Sequence, residues 1–184
     1  MKNVFAIIAM FISVLFISCN GPIKGKNGVS YKTALQYNDY ILNKQKDIVN
    51  LIMQYAQAGQ NDLAKADVIL DTAIATSNRY INDVEGMPAW KGDSTFRDTT
   101  LSLFRFYKNT FSGGYRYIID MQRDGTVSAA EEEKYKQIVA DITDTEGRLD
   151  ANMKRTQQAF ADKNGFRVER TELQDKINQM KGPQ

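Results

Sequence analysis

Twelve residues near the middle of the chain have the types and spacing to hold a metal ion. They run Asp120-Met121-Gln122-Arg123-Asp124-Gly125-Thr126-Val127-Ser128-Ala129-Ala130-Glu131. On a twelve-residue calcium loop, Asp120, Gln122 and Asp124 take positions 1, 3 and 5, Gly125 takes 6, Ser128 takes 9 and Glu131 takes 12. Calcium is a hard ion that binds six to eight oxygens. Asp120 and Asp124 would supply side-chain oxygens, Thr126 its carbonyl, Ser128 a bridging water and Glu131 both carboxylate oxygens. The departures are Gln122 where Asp or Asn is usual, Glu132 where an apolar residue opens the exiting helix, and the lack of a second such loop. The same residues also spell a plain helical hairpin. Asp124-Gly125 is a helix stop, and Ser128 with Glu131 three residues on is a capping box. The two readings stand side by side, with the hairpin preferred and calcium as the only cofactor in view.

Cys19, the chain's one cysteine, could do a different chemistry. Ahead of it lie Met1-Lys2-Asn3, an apolar run from Val4 to Phe16, and then Ile17-Ser18. A positive start, a short apolar stretch and a small residue before the cut mark a secretory signal. The run is shorter than the roughly 20 residues a spanning helix needs. Residues 16–19 match a lipobox, with Phe16 in the place usually held by Leu, so cleavage after residue 18 would leave a lipidated Cys19. The implied partner is a membrane held through that anchor. No acidic residue follows until Asp39, and this favours the periplasm-facing side of an outer membrane over surface exposure.

Other chemistries lack their residues. The chain has no histidine, which removes the imidazole base of Ser-His-Asp and Cys-His catalysis. It also removes the ligands of zinc sites and Glu-x-x-His di-iron sites. Carboxylate, lysine and tyrosine chemistry remain, and no catalytic residue is assigned. The net charge is +2, or +1 once Lys2 is removed with the signal. With no basic run, this excludes an electrostatic nucleic-acid face.

These residues would be positioned by helices. Removing 18 residues from 184 leaves 166, enough for one core without disulfides. Residues 19–29, with three glycines and a proline, read as a flexible tether. Apolar residues then recur at spacings of three, four and seven. The first stripe is Ala34, Tyr37, Ile41, Ile48, Leu51, Ile52 and Tyr55, on a helix over about 31–58 that Ser30 would cap. The second is Leu63, Ala66, Leu70, Ala73, Ile74, Ile81 and Val84, over about 62–84 after Asn61. The third is Leu101, Phe104, Tyr107, Phe111, Tyr115 and Ile118, over about 95–122 after Asp93 or Ser94. The fourth is Tyr135, Ile138, Ile142, Leu149, Met153 and Phe160, over about 129–162 after Ser128. Short connections between long helices predict an all-α, antiparallel up-down-up-down four-helix bundle over residues 30–166. A short amphipathic C-terminal helix within 167–184, with Leu173, Ile177 and Met180 on one side, completes it. Gly113-Gly114 inside the third helix would be a hinge, a dent for a ligand, or a place of close helix packing, and packing is preferred. The aromatics Phe104, Phe106, Tyr107, Phe111, Tyr115 and Tyr117 exceed what one helix face buries, which leaves a pocket or partner surface open.

Several stretches resemble a family of bacterial envelope lipoproteins, the leptospiral-type surface proteins. They are Tyr37-Asn38-Asp39-Tyr40-Ile41, Arg97-Asp98 with Leu103-Phe104-Arg105-Phe106-Tyr107-Lys108, Glu146 with Leu149-Asp150, and Gln158 through Phe166. The likeness covers about 37–166 and implies an envelope-tethered helical bundle, with no catalytic or binding residue attached. The sequence thus leads to a non-enzymatic, membrane-anchored module that binds an envelope or extracellular protein. A calcium- or small-ligand-binding bundle is the alternative.

Overall fold

The computed structural model describes residues 21–168. It is an all-α bundle of four antiparallel rods with one two-stranded ribbon at its base. The ribbon is β1 (Ile23–Lys24) and β2 (Ser30–Tyr31); the first two rods are α1 (Ala34–Gly59) and α2 (Leu63–Glu85). The third rod is composite: α3 (Thr95–Thr110), a π-helical turn (Phe111–Tyr115) and α4 (Arg116–Asp124). The fourth is α5 (Ala129–Asn164). Among the described residues no helix is long and apolar enough to cross a membrane. The signal segment and Cys19 lie outside the described residues, as does residue 169 onward of the expected C-terminal helix. Arg167 and Val168 are not helical.

Side chains that satisfy orphan backbone groups set the helix ends. Thr33, three residues past the expected Ser30, accepts from the Gln36 amide at 3.1 Å. Asp62, one past the expected Asn61, accepts from the Lys65 amide at 2.9 Å. Ser128 caps α5 as expected, and Gly165 ends that helix with φ 72°. In each shifted case the neighbouring position offered an oxygen with equal chemistry, so local sequence alone could not separate them.

The expected tether is corrected by the ribbon. From Ile23 the chain folds onto the bundle, pairing Ile23 with Tyr31 and Lys24 with Ser30. Asn27 is the pin. Its amide N–H donates to Gly86 O (3.2 Å), and its Nδ2 donates to Asp83 O (2.9 Å) and to Tyr31 Oη (2.7 Å). Gly86 must be glycine here, because a Cβ would lie 2.7 Å from Asn27 N. Composition suggested a mobile linker; long-range bonds to α2 make it part of the fold.

The base of the bundle is aromatic. Tyr37, Trp90, Phe96 and Phe160 are all buried, with ring centroids 5.2–6.4 Å apart in the Tyr37–Trp90, Tyr37–Phe160, Phe96–Phe160 and Trp90–Phe160 pairs. Their polar tips are satisfied. Tyr37 Oη donates to Pro88 O (2.9 Å), and Trp90 Nε1 donates to Asn164 Oδ1 (2.8 Å). Deeper in, Asn38 Oδ1 accepts from Gln157 Nε2 at 2.9 Å, a buried polar bond that sets α1 against α5. Lys44 joins α1 to α2: its Nζ lies 4.4 and 4.3 Å from the Tyr40 and Tyr80 rings and 2.5 Å from Asp83 Oδ2.

Candidate functional site: the π-helical turn and the open end

At the other end of the bundle the sequence Phe111-Ser112-Gly113-Gly114-Tyr115 forms the π-helical turn. Such turns insert one residue into a helix and recur at functional sites. The two glycines have different surroundings. A Cβ on Gly114 would lie 2.9 Å from Ile142 Cδ1 and 3.0 Å from Ile138 Cγ2, whereas one on Gly113 would meet nothing within 4 Å. Gly114 therefore lets α5 approach the third rod. Of the readings open for this pair, close helix packing is the one found.

Three tyrosines surround the turn. Tyr55 stacks on Tyr115 with centroids 4.7 Å apart and planes 6° from parallel. Its hydroxyl donates to Tyr115 O at 3.1 Å, taking a carbonyl at the edge of the widened turn. Tyr107 directs its hydroxyl at Glu146 Oε1, 3.5 Å away. Burial pushes the Tyr115 hydroxyl up to about 12, with the Glu146 charge adding to it. Burial also drives Tyr107 well above its ordinary value, helped by Glu146 and Asp150. At neutral pH both are protonated donors; neither is poised as a base.

The twelve-residue stretch lies just beyond. Asp120 to Asp124 remain helical as the end of α4, Gly125 reverses the chain with φ 73°, and Thr126 to Ser128 lead into α5. The six expected ligands are not drawn together. Asp120 faces Arg123 at 3.3 Å along its own helix. Glu131 Oε2 accepts from both the amide (2.8 Å) and hydroxyl (2.6 Å) of Ser128, which completes the capping box. Those bonds, the hydroxyl's first, hold the Glu131 carboxyl below its usual range. Gln122, Asp124 and Thr126 are exposed. Among the described residues no group of three or more acidic, histidine or cysteine side chains converges as a metal site. Positions 1 to 5 of the supposed loop continue the helix, because the first glycine able to break it comes only at 125.

An ion network that sequence reading missed braces this end. Arg116 pairs with Asp67 and Asp71, and Arg123 reaches Asp67 at 2.8 Å. These partners lie more than 40 residues apart, and no local pattern signals them.

The first half of α5 is poorly covered. Tyr135 is 37% exposed, Val139 38% and the preceding Val127 51%. Ile138 and Ile142 are half-buried against the glycine turn, whereas Met153 and Phe160 are fully in the core. The expected continuous inward stripe is thus corrected at Tyr135. With Asn38 beside Gln157, antiparallel helices of equal rise bring the last residue of α1 level with about residue 136. The first two turns of α5 overhang it. Around this tip Asp124, Glu133 and Asp141 are exposed and have no ion-pair partner among the described residues.

No protein-family model, curated protein or solved structure matches this chain.

Proposed function

We propose that the chain is a non-enzymatic envelope lipoprotein, anchored by an acylated Cys19 in an outer membrane and facing the periplasm. Its overhanging end would engage an envelope protein partner. The signal-like segment before Cys19 supports the anchor, and the resemblance of residues 37–166 to envelope lipoproteins agrees with it. The observation that carries the reading is the geometry of the two ends. The chain enters at Gly21, beside Trp90 and Asn164 at the aromatic base. The half-covered stretch of α5 begins at the opposite end, about 50 Å away along a helix of 36 residues. An anchor at one end displays the other to the compartment.

The partner surface matching that end is apolar. Val127, Tyr135 and Val139 supply that apolar contact, while Glu133 and Asp141 stand at least about 120° round α5 from Tyr135 and Val139. Two measurements test the reading. Replacement Cys19→Ala releases the protein from membranes; continued membrane association of that variant sinks the anchor. A photo-crosslinker at Val139 in cells traps one defined adduct that Tyr135→Lys removes without lowering the melting temperature. An adduct unaffected by Tyr135→Lys places the contact elsewhere.

A further inference from the structure

The base of the bundle carries a charge pattern that the helical core does not require. Lys24 and Lys26 stand on the ribbon and its turn, Lys32 precedes α1, and Lys91 sits in the turn between α2 and α3. All four are exposed, and none has an ion-pair partner among the described residues. Four neighbouring acids are already matched, Asp83 with Lys44, Glu85 with Arg105, Asp93 with Lys163 and Asp98 with Arg97, while Asp39 and Asp162 meet only the amides of Asn38 and Gln158 and offset part of the charge. The base is therefore left positive, whereas the far tip is left negative.

The backbone that carries these lysines is fixed by hydrogen bonds. Lys26 is next to Asn27, whose bonds to Asp83 O and Gly86 O fix the ribbon turn. Lys91 has φ 49° and Gly92 φ 85°, in a tight turn closed by two 2.9 Å bonds between Trp90 and Asp93. That turn projects Lys91 beside Lys32 and Gly21, which line one depression with Trp90. Leu35, on the first turn of α1, is 47% exposed.

Chain connectivity decides what this face meets. One residue, Asn20, separates Gly21 from Cys19, so two residue steps span at most about 7 Å. That is less than the roughly 8 Å Debye length at physiological salt, so an acylated Cys19 brings the headgroups to the depression that Lys32 and Lys91 line with Gly21, on the face the ribbon lysines share. We propose that this base is a docking surface for anionic phospholipid headgroups, which clamps the anchored bundle upright with its acidic tip directed away from the bilayer. The inference rests on the anchoring proposed above and adds a fixed orientation to it.

The test uses the mature lipidated protein reconstituted in vesicles of pure phosphatidylcholine or with about one third phosphatidylglycerol. Amine-reactive labelling is then read residue by residue by mass spectrometry. The expected result is labelling slowed about fivefold at Lys24, Lys26, Lys32 and Lys91 in anionic vesicles only, the factor that ~1 kcal/mol per lysine near such a surface implies. The slowing vanishes in 0.5 M salt, on the order of a 4 Å Debye length, while Lys134 and Lys136 at the far end label equally throughout. Equal labelling of the four basal lysines in both vesicle types overturns the docking surface and leaves the anchor standing. A mature chain whose Cys19 carries no acyl mass, and which floats with neither vesicle, overturns the anchor itself.

Discussion

The two ends of the bundle are made from the same helices yet are built in opposite ways. At the base, α1, α3 and α5 contribute to one aromatic cluster with Trp90 of the turn after α2, and the ribbon closes over it. Its buried polar atoms, Tyr37 Oη, Trp90 Nε1 and the Asn38–Gln157 pair, all find partners. At the open end Ala66, Phe111 and Ile119 are buried as well, but the first half of α5 adds to them two half-buried isoleucines against one glycine, beside a tyrosine stack and ion pairs at the surface. Surface ion pairs each contribute little, between about 0 and 1 kcal/mol, whereas each buried aromatic removes a large apolar area from water. The closed base therefore carries more of the fold's stability than the exposed first turns of α5 do.

The sharpest way to break this contrast is truncation of one side chain at each end. Phe160→Ala should cost about 3–5 kcal/mol, the range for a buried Phe, in urea unfolding. Val139→Ala should stay within about 0.5 kcal/mol, as for exposed positions. Equal losses would dissolve the distinction. Polar burial gives the next effect. Asn38→Ala leaves the Gln157 amide without its partner and should cost about 1–3 kcal/mol. A double change to leucine at 38 and 157 should recover most of that.

Alkaline unfolding ranks alongside it. The Tyr115 hydroxyl loses its proton near 10 when unfolded and at about 12 when folded. Between those values the folded chain binds more protons, so stability is complete below pH 10 and falls as pH rises towards 12. Tyr115 alone should account for a loss on the order of 2 kcal/mol by pH 12, read as a falling melting temperature. Tyr115→Phe should remove that share of the slope and leave the rest to Tyr31, Tyr37, Tyr55 and Tyr107, whose hydroxyls burial also raises.

Smaller effects sharpen the picture at the π-helical turn. Gly114→Ala should destabilise by about 1 kcal/mol, because a crowded Cβ at Ile142 and Ile138 outweighs the gain in helix propensity. Gly113→Ala, with open space around it, should stabilise by up to about 1 kcal/mol. The smallest expected effect is that of calcium. Addition of millimolar calcium should leave the melting temperature and the exchange of α5 amides unchanged. A raised melting point that Glu131→Gln abolishes would show that the ion rearranges 120–131 and tightens the open end.

How much of this was legible beforehand varies along the chain. The rods were, because buried positions of a helix must recur every three or four residues and the stripes did so over long stretches. The Ser128–Glu131 box was also legible, since both partners lie three residues apart. The pinned ribbon was not: Asn27 gains its role only from backbone groups of Asp83 and Gly86. Nor was the exposure of Tyr135, which keeps the period of its helix but stands where the opposing rod has ended.

Local interactions are encoded by neighbours in the chain, so the sequence by itself determined the helical class, the approximate rods, the α5 cap and the want of imidazole chemistry. Register between rods depends on residues a hundred or more positions apart, such as Asn38 and Gln157. Only the tertiary structure could therefore decide that one end closes, that the other overhangs, and that Asp120 to Asp124 continue α4.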